Sequence, residues 1–240
     1  MNIKKLKSWS MLMLAAMALP MMVACGDDGD GGGAPSTGKR LVRVTDKGEK
    51  NTYVFEYSYD SQGRVVRIDR KKNGETDHYY TYAYYNDKIV KNSHSSGSTR
   101  QTEYILENGF IVSEKHQSES DNVQYTYANN HLATITSYNK TRKYNWSGGN
   151  LMSIESGDDI KTMEYTSYLT PESPFILWEL DEPLAKYFGI TTRNLPSKFV
   201  DGNEMMTYDW TMEGGLPVKL ILTESYKSNA STSIITYEWQ

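Results

Sequence analysis

Few side chains in this chain could do chemistry. Glu179, Asp181 and Glu182 cluster beside Trp178. Two carboxylates about 5–9 Å apart next to an aromatic platform are what a glycan hydrolase needs. The same residues also read as the acidic, capped start of a short helix, favoured by the helix dipole, and we adopt that second reading. The histidines, His78, His94, His116 and His131, show neither His-x-His nor His-Glu-x-x-His spacing; adjacent hairpins could bring two together, but we read them as scattered surface residues and expect no metal site. There is no Gly-x-Ser-x-Gly elbow and no Gly-x-Gly-x-x-Gly phosphate cradle. No catalytic residue and no cofactor is expected. The aromatics remain: nineteen tyrosines and five tryptophans exceed what packing alone requires. Tyr79, Tyr85 and Trp178 are candidates for a ligand platform that stacks on a sugar or a peptide. Successive strand residues face opposite ways, so one ring of each pair Tyr79-Tyr80 and Tyr84-Tyr85 should lie outside the core.

The single thiol, Cys25, carries a different chemistry. It follows a basic start (Lys4, Lys5, Lys7) and an apolar run from Met11 to Ala24. That layout is a secretory signal peptide ending in a small residue. A membrane-crossing helix would need about 20 apolar residues, and this run is shorter. Met22-Val23-Ala24-Cys25 resembles a bacterial lipobox, in which the cysteine becomes the acylated first residue. Each buried acyl CH₂ contributes about 0.8 kcal/mol, so several palmitate-length chains make a permanent membrane anchor. With Cys25 acylated, no thiol is left for a disulfide or a thiolate metal site.

The run Gly26-Asp27-Asp28-Gly29-Asp30-Gly31-Gly32-Gly33 reads as a flexible, solvated tether. It also resembles the export signal that places Bacteroidota lipoproteins on the outer face of the outer membrane, with Asp27, Asp28 and Asp30 as the acidic residues. The alternative address is the periplasmic face. A calcium site on these aspartates would lack the bidentate glutamate and ordered loop of a calcium-binding hand. Removing residues 1–24 removes three lysines and no acids, which takes the formal net charge from −4 to −7. An acidic domain argues against nucleic acid and anionic lipid surfaces as partners.

What must position any such site is a repeat. Its unit is an aromatic-x-aromatic strand, a turn of Asp, Asn or Gly, and an aliphatic strand. Tyr57-Ser58-Tyr59 leads through Asp60-Ser61-Gln62-Gly63 to Val66 and Ile68, and Tyr125-Thr126-Tyr127 through Asn129-Asn130 to Leu132 and Ile135. The aromatics Tyr59, Tyr84, Tyr104, Tyr127 and Trp146 recur 19 to 25 residues apart. Period two places Tyr57, Tyr59, Tyr82, Tyr84, Tyr125 and Tyr127 on one core-facing stripe, with hydroxyls reaching the rim. Asn-Gly, Asn-Asn and Gly-Gly supply the positive φ of tight hairpins. The expected fold is all-β, an antiparallel up-and-down meander of consecutive hairpins. About a dozen short strands would make it barrel-like or a strongly twisted sheet.

One interruption, about 170–197, predicts a short helical insertion near 181–189 that plugs an open end or covers an edge. Asp181 would be its N-cap, Pro183 its first turn and Gly189 its stop. Glu56, Asp60, Arg67 and Lys91 fall on faces opposite the tyrosines and, with short strands, argue against a membrane-spanning barrel. The domains read as 1–24 signal peptide, 25–38 lipidated tether and 39–240 β-meander.

Tyr57-Ser58-Tyr59-Asp60-Ser61-Gln62-Gly63-Arg64-Val65-Val66-Arg67-Ile68 resembles one YD (Rhs-type) repeat, itself a β-hairpin. The lipobox, the acidic tether, the Tyr-x-Tyr hairpins and the stretch from Tyr187-Phe188-Gly189 through Asn194-Leu195-Pro196 carry a wider similarity. Over residues 40–240 the chain is similar to uncharacterised Bacteroidota lipoproteins with a porin-like β fold. That resemblance implies a fold and a habitat but no catalytic residues. The expectation is a non-enzymatic, lipid-anchored module of the outer membrane that binds a glycan or an envelope protein. The alternatives are a glycan hydrolase using the carboxylates near Trp178, or a purely structural envelope protein.

Overall fold

The computed structural model describes residues 38–95, 97–116, 123–171 and 182–240. The repeat builds sixteen strands. Leu41–Lys47 (β1), Thr52–Tyr59 (β2), Val65–Lys72 (β3), Glu75–Tyr84 (β4) and Lys88–Ser95 (β5) come first. Ser98–Glu107 (β6), Phe110–His116 (β7), Val123–Ala128 (β8), His131–Ser137 (β9), Lys140–Ser147 (β10) and Asn150–Ser156 (β11) follow. Asp159–Leu169 (β12), Asn194–Asp201 (β13), Glu204–Glu213 (β14), Leu216–Tyr226 (β15) and Asn229–Trp239 (β16) complete the wall. Each strand pairs antiparallel with its neighbours in sequence, and β16 returns to β1 from Leu41↔Trp239 to Lys47↔Ile234, which closes the barrel. The meander is therefore a barrel, not an open sheet. Its turns are those the Asn and Gly residues demand: both residues of Asn108-Gly109, Asn129-Asn130 and Gly148-Gly149 hold positive φ.

Every even strand turns the first residue of its repeat into the lumen. Tyr57, Tyr82, Tyr104, Tyr125, Tyr144, Tyr208 and Tyr237 are all buried, and on β12 Met163 takes that place. The second aromatic, two residues on, does something the sequence did not announce. Tyr84 donates its hydroxyl to the Val65 carbonyl at 2.8 Å, and Tyr165 to that of Leu151 at 2.6 Å. Trp146 donates its indole N–H to Leu132 at 2.8 Å, Trp210 to Pro196 at 2.7 Å and Trp239 to Pro217 at 2.7 Å. Tyr59 and Tyr127 donate likewise to Leu41 and Ile111. Each acceptor lies at the start of the preceding odd strand.

The acceptors share a cause. At each of these points the odd strand slips by a residue against the even strand before it, for example between Ser58 and Tyr59 opposite Val65, and between Asn145 and Trp146 opposite Leu151. Such a β-bulge interrupts the ladder locally, and the ring's polar tip occupies the gap. It also explains why the inward aliphatics of odd strands stand three apart (Val65 and Ile68, Leu132 and Ile135, Leu151 and Ile154) where a regular strand would space them by two. The exception is consistent. β5 pairs with β4 without a slip, and the residue of β6 that would reach Ile89 is Leu106, which has no donor. Pro196 and Pro217 sit at bulges, where a strand tolerates proline. Tyr165→Phe should cost about 1 kcal/mol, the net worth of one such bond; an unchanged urea midpoint would remove the lock from the account of stability.

The insertion between β12 and β13 closes one end. It spans 170–193, since Asn194-Leu195-Pro196-Ser197 already belong to β13. The expected helix is only a 3₁₀ turn, Glu182–Leu184, that runs into turns through Gly189. Its stop is as expected: Ile190 N–H bonds the Ala185 carbonyl at 3.2 Å and Gly189 N–H that of Lys186 at 3.2 Å, a Schellman arrangement with Gly189 at φ +60°. Leu184, Ala185, Phe188 and Ile190 are all buried in the barrel end, while Lys186 between them is exposed. The amides of Ile111 and Leu132 donate to the carbonyls of Tyr187 and Gly189 at 2.8 and 3.0 Å, and Phe188 packs edge-on against Tyr104.

The outer wall is built for water. Glu56 pairs with Arg43 at 3.1 Å and Lys71 at 2.7 Å, and Lys88 pairs with Glu103 at 3.0 Å. Thr126 and Thr134 share a hydroxyl bond at 2.7 Å. Among the described residues, the exposed Met152, Ile160, Met205 and Ile234 lie on separate strands. Two details of the expectation change. Strands of up to 11 residues are as long as membrane strands, so length does not decide the matter. Lys91 lies opposite Tyr82 and shares its inner face, its ammonium 5.0 Å from the Tyr80 ring. The paired charges on the wall still oppose burial in lipid.

Candidate binding site at the distal end of the barrel

The two ends of the barrel differ. At one end lie the plug, the start of β1 and the end of β16, with Arg40 and Gln240 joined by paired backbone bonds of 2.6 and 2.8 Å. Toward the other, distal end, the inner positions change character along each strand. Val44 is followed by Asp46, Met206 by Glu204 in the same direction, and Leu222 by Glu224. Asp46 is only 4% exposed, and burial, with Glu224 beside it, pushes its carboxyl up to about 6 against a hydrogen bond donated by Ser233. Glu224 is raised by burial and by Glu204. Lys161 and Asp201 pair at 3.0 Å within the same arc.

On the other side of the distal end, the hairpins β3–β4 and β5–β6 enclose a groove of about 790 Å³. A bulge opposite Arg70 and Lys71 turns both Asp77 and His78 toward Arg70. The Arg70 guanidinium donates to both Asp77 oxygens at 2.9 and 2.6 Å, and to His78 Nδ1 at 2.6 Å. A guanidinium cannot accept, so Nδ1 is the acceptor. Arg70 also holds the Asp77 carboxyl below the usual range, in spite of the cost of its partial burial. Hydroxyls complete the lining: Ser95 and Ser98 bond each other at 2.9 Å, and Thr99 bonds His94 Nδ1 at 2.9 Å.

The residues singled out from the sequence fall in different places. Tyr79 lines the groove, but both its faces are occupied: His94 of β5 stacks on it at 4.2 Å, and the Arg67 guanidinium of β3 lies 4.3 Å from its centroid. Tyr85 is 56% exposed beside Lys88 at the plugged end. Six residues of strand, about 20 Å, separate it from Tyr79, so the two do not form one platform. Cys25, Asp27, Asp28, Asp30, Trp178, Glu179 and Asp181 lie outside the described residues, and only the backbone of Glu182 is described. Among the described residues no cluster of three metal-ligating side chains occurs, although His78 and His94 share the groove. Lys72 escaped the sequence reading because it is an ordinary surface residue until strand register brings it to this rim, and the same register brings His78 and His94 together from adjacent hairpins.

No protein-family profile and no curated protein sequence matches the chain. Solved structures do. A porin-like protein from Bacteroides uniformis superposes with a TM-score of 0.65 at 13% identity, over 83% of this chain and 98% of that one. A porin-like protein from Bacteroides vulgatus gives 0.54 at 13% identity over the same shares. At that identity the likeness is one of fold, and it agrees with the porin-like β fold that the resemblance over residues 40–240 implies.

Proposed function

We propose that this chain is a non-enzymatic, lipid-anchored β-barrel of a bacterial outer membrane that presents its distal groove to a polar ligand, a glycan in the first instance. The observation that carries the reading is the arrangement of the two ends. The tether joins the barrel where β1 begins, at the plugged end, while the groove lies across the full length of the strands from it. An anchor on Cys25 would then hold the closed end toward the lipid and leave the groove toward solvent. The charged, threonine-rich wall supports the same reading, because a barrel unsuited to lipid needs another means of attachment. Porin-like neighbours agree with an envelope setting.

Fractionation of cells tests the anchor. Cys25→Ala should release the protein from membranes or leave it as unprocessed precursor; unchanged membrane association would refute the anchor. Replacing Asp27, Asp28 and Asp30 by Ala should keep the protein in the membrane fraction but protect it from protease added to whole cells. If surface shaving removes that variant as fast as the parent, the export signal is not these aspartates.

A further inference from the structure

We infer that the distal groove recognises an anionic sugar, a carboxylate- or sulfate-bearing residue of a glycan, with the Lys72 ammonium as its counter-charge. This rests on the glycan reading above and narrows it. Three observations converge on it.

The first is charge balance. Among the cations of this rim, Arg67 is held by Asp69 at 2.6–2.7 Å, Arg70 by Asp77, and Lys71 by Glu56 at 2.7 Å. Lys72 is exposed, lines the groove, and makes only a distant ring contact, 6.0 Å to the Tyr53 centroid. The one carboxylate in the lining, Asp77, is already neutralised by Arg70. Glu75, across the β3–β4 turn from Lys72, lies outside the lining and forms no ion pair with it among the described residues. Among the described residues that line the groove, Lys72 is therefore the charge left without an ion pair.

The second is its polar lining. His78, His94, Thr76, Ser95, Ser98 and Thr99 surround that charge with imidazole and hydroxyl groups that both donate and accept. Such a lining suits the hydroxyls of a sugar ring, and a volume of about 790 Å³ admits one or two sugar residues.

The third is what the groove lacks. An open aromatic face would favour stacking of a neutral sugar ring, but the Tyr79 ring is already sandwiched between His94 and Arg67. With stacking unavailable, hydrogen bonding carries recognition, and the charge-assisted bond that Lys72 offers is stronger than its neutral counterparts.

Calorimetry on the full-length protein in detergent, with trigalacturonate, a sulfated galactose trimer and neutral galactotriose, tests the inference. One or both charged sugars should bind at least tenfold tighter than galactotriose, and the difference should shrink in 0.5 M salt. Lys72→Gln should weaken that binding at least tenfold while the melting curve stays that of the parent, because Lys72 is exposed. Glu75→Gln, which removes a competing negative charge at the rim, should tighten it. Equal binding of the neutral trimer, or an unaffected Lys72→Gln, overturns the anionic assignment and leaves the glycan reading intact. No binding of any of the three at millimolar concentration overturns both.

Discussion

Gly189→Ala is expected to cost about 3 kcal/mol or more of stability and to loosen the plugged end. Two terms add. Gly189 holds φ +60°, a left-handed conformation that costs an alanine about 1–2 kcal/mol. A Cβ there would also lie 2.9 Å from the Asn130 carbonyl oxygen, 3.2 Å from the Leu132 amide and 3.3 Å from the Phe110 ring. Backbone of the β8–β9 turn cannot swing aside as the end of a flexible side chain can. The plug must lift instead, which stretches the 3.0 Å bond from Leu132 N–H to Gly189 and draws Phe188 away from Tyr104 and Tyr125. Gly157→Ala separates the terms: φ is +63° but nothing lies within 4 Å of the added carbon. It should cost only the conformational term, about 1–2 kcal/mol. Urea unfolding of both variants decides the point. Equal losses would mean that the plug is not tightly seated against the β8–β9 turn.

Much of this plug and barrel is legible in the chain because the signals are local. Asn108-Gly109 and Asn129-Asn130 demand their turns, and Tyr57-Ser58-Tyr59 declares its inner face by period two. Gly189 announces its stop, although the helix before it does not form. The strand count was harder. On β12 the pattern reads Met163-Glu164-Tyr165, and the loss of one aromatic hides a repeat that the structure shows to be intact. Lys91 was misplaced because Val90 beside it is the more apolar residue, yet register with Tyr82 sends the lysine inward. Closure is not local at all, since β1 and β16 meet only when the fifteen antiparallel pairings between them have accumulated their twist. The groove is hidden for the same reason. Tyr79 and His94 become neighbours through the β4–β5 register, and Arg67 joins them from β3. The tether and the carboxylates near Trp178 lie beyond what the described residues address.

The inner acids of the distal end lead to the other large effect. Asp46→Asn should stabilise the barrel at pH 7.5 by about 1–3 kcal/mol. Asp46 lies opposite Tyr53 on β2, beside β16, with Glu224 of β15 near enough to repel it. Among the described residues its Oδ1, Glu224 Oε1 and the Tyr53 hydroxyl find no hydrogen-bond partner, which leaves the buried charge poorly compensated. The sign follows from proton uptake. With the folded carboxyl at about 6 and an ordinary value of 3.8 in the unfolded chain, the native state binds more protons between those values. Stability is therefore greatest below about pH 4 on this account and falls as pH rises through 6, by up to about 3 kcal/mol. Glu224, also raised, adds to the same slope. The asparagine variant keeps the shape, carries no charge, and should show a flatter profile across pH 4–7. Urea titrations at pH 4, 5.5 and 7.5 read it directly. A parent protein equally stable at all three, or an asparagine variant less stable than the parent at pH 7.5, would show that the lumen solvates Asp46 well enough to remove the cost of its charge.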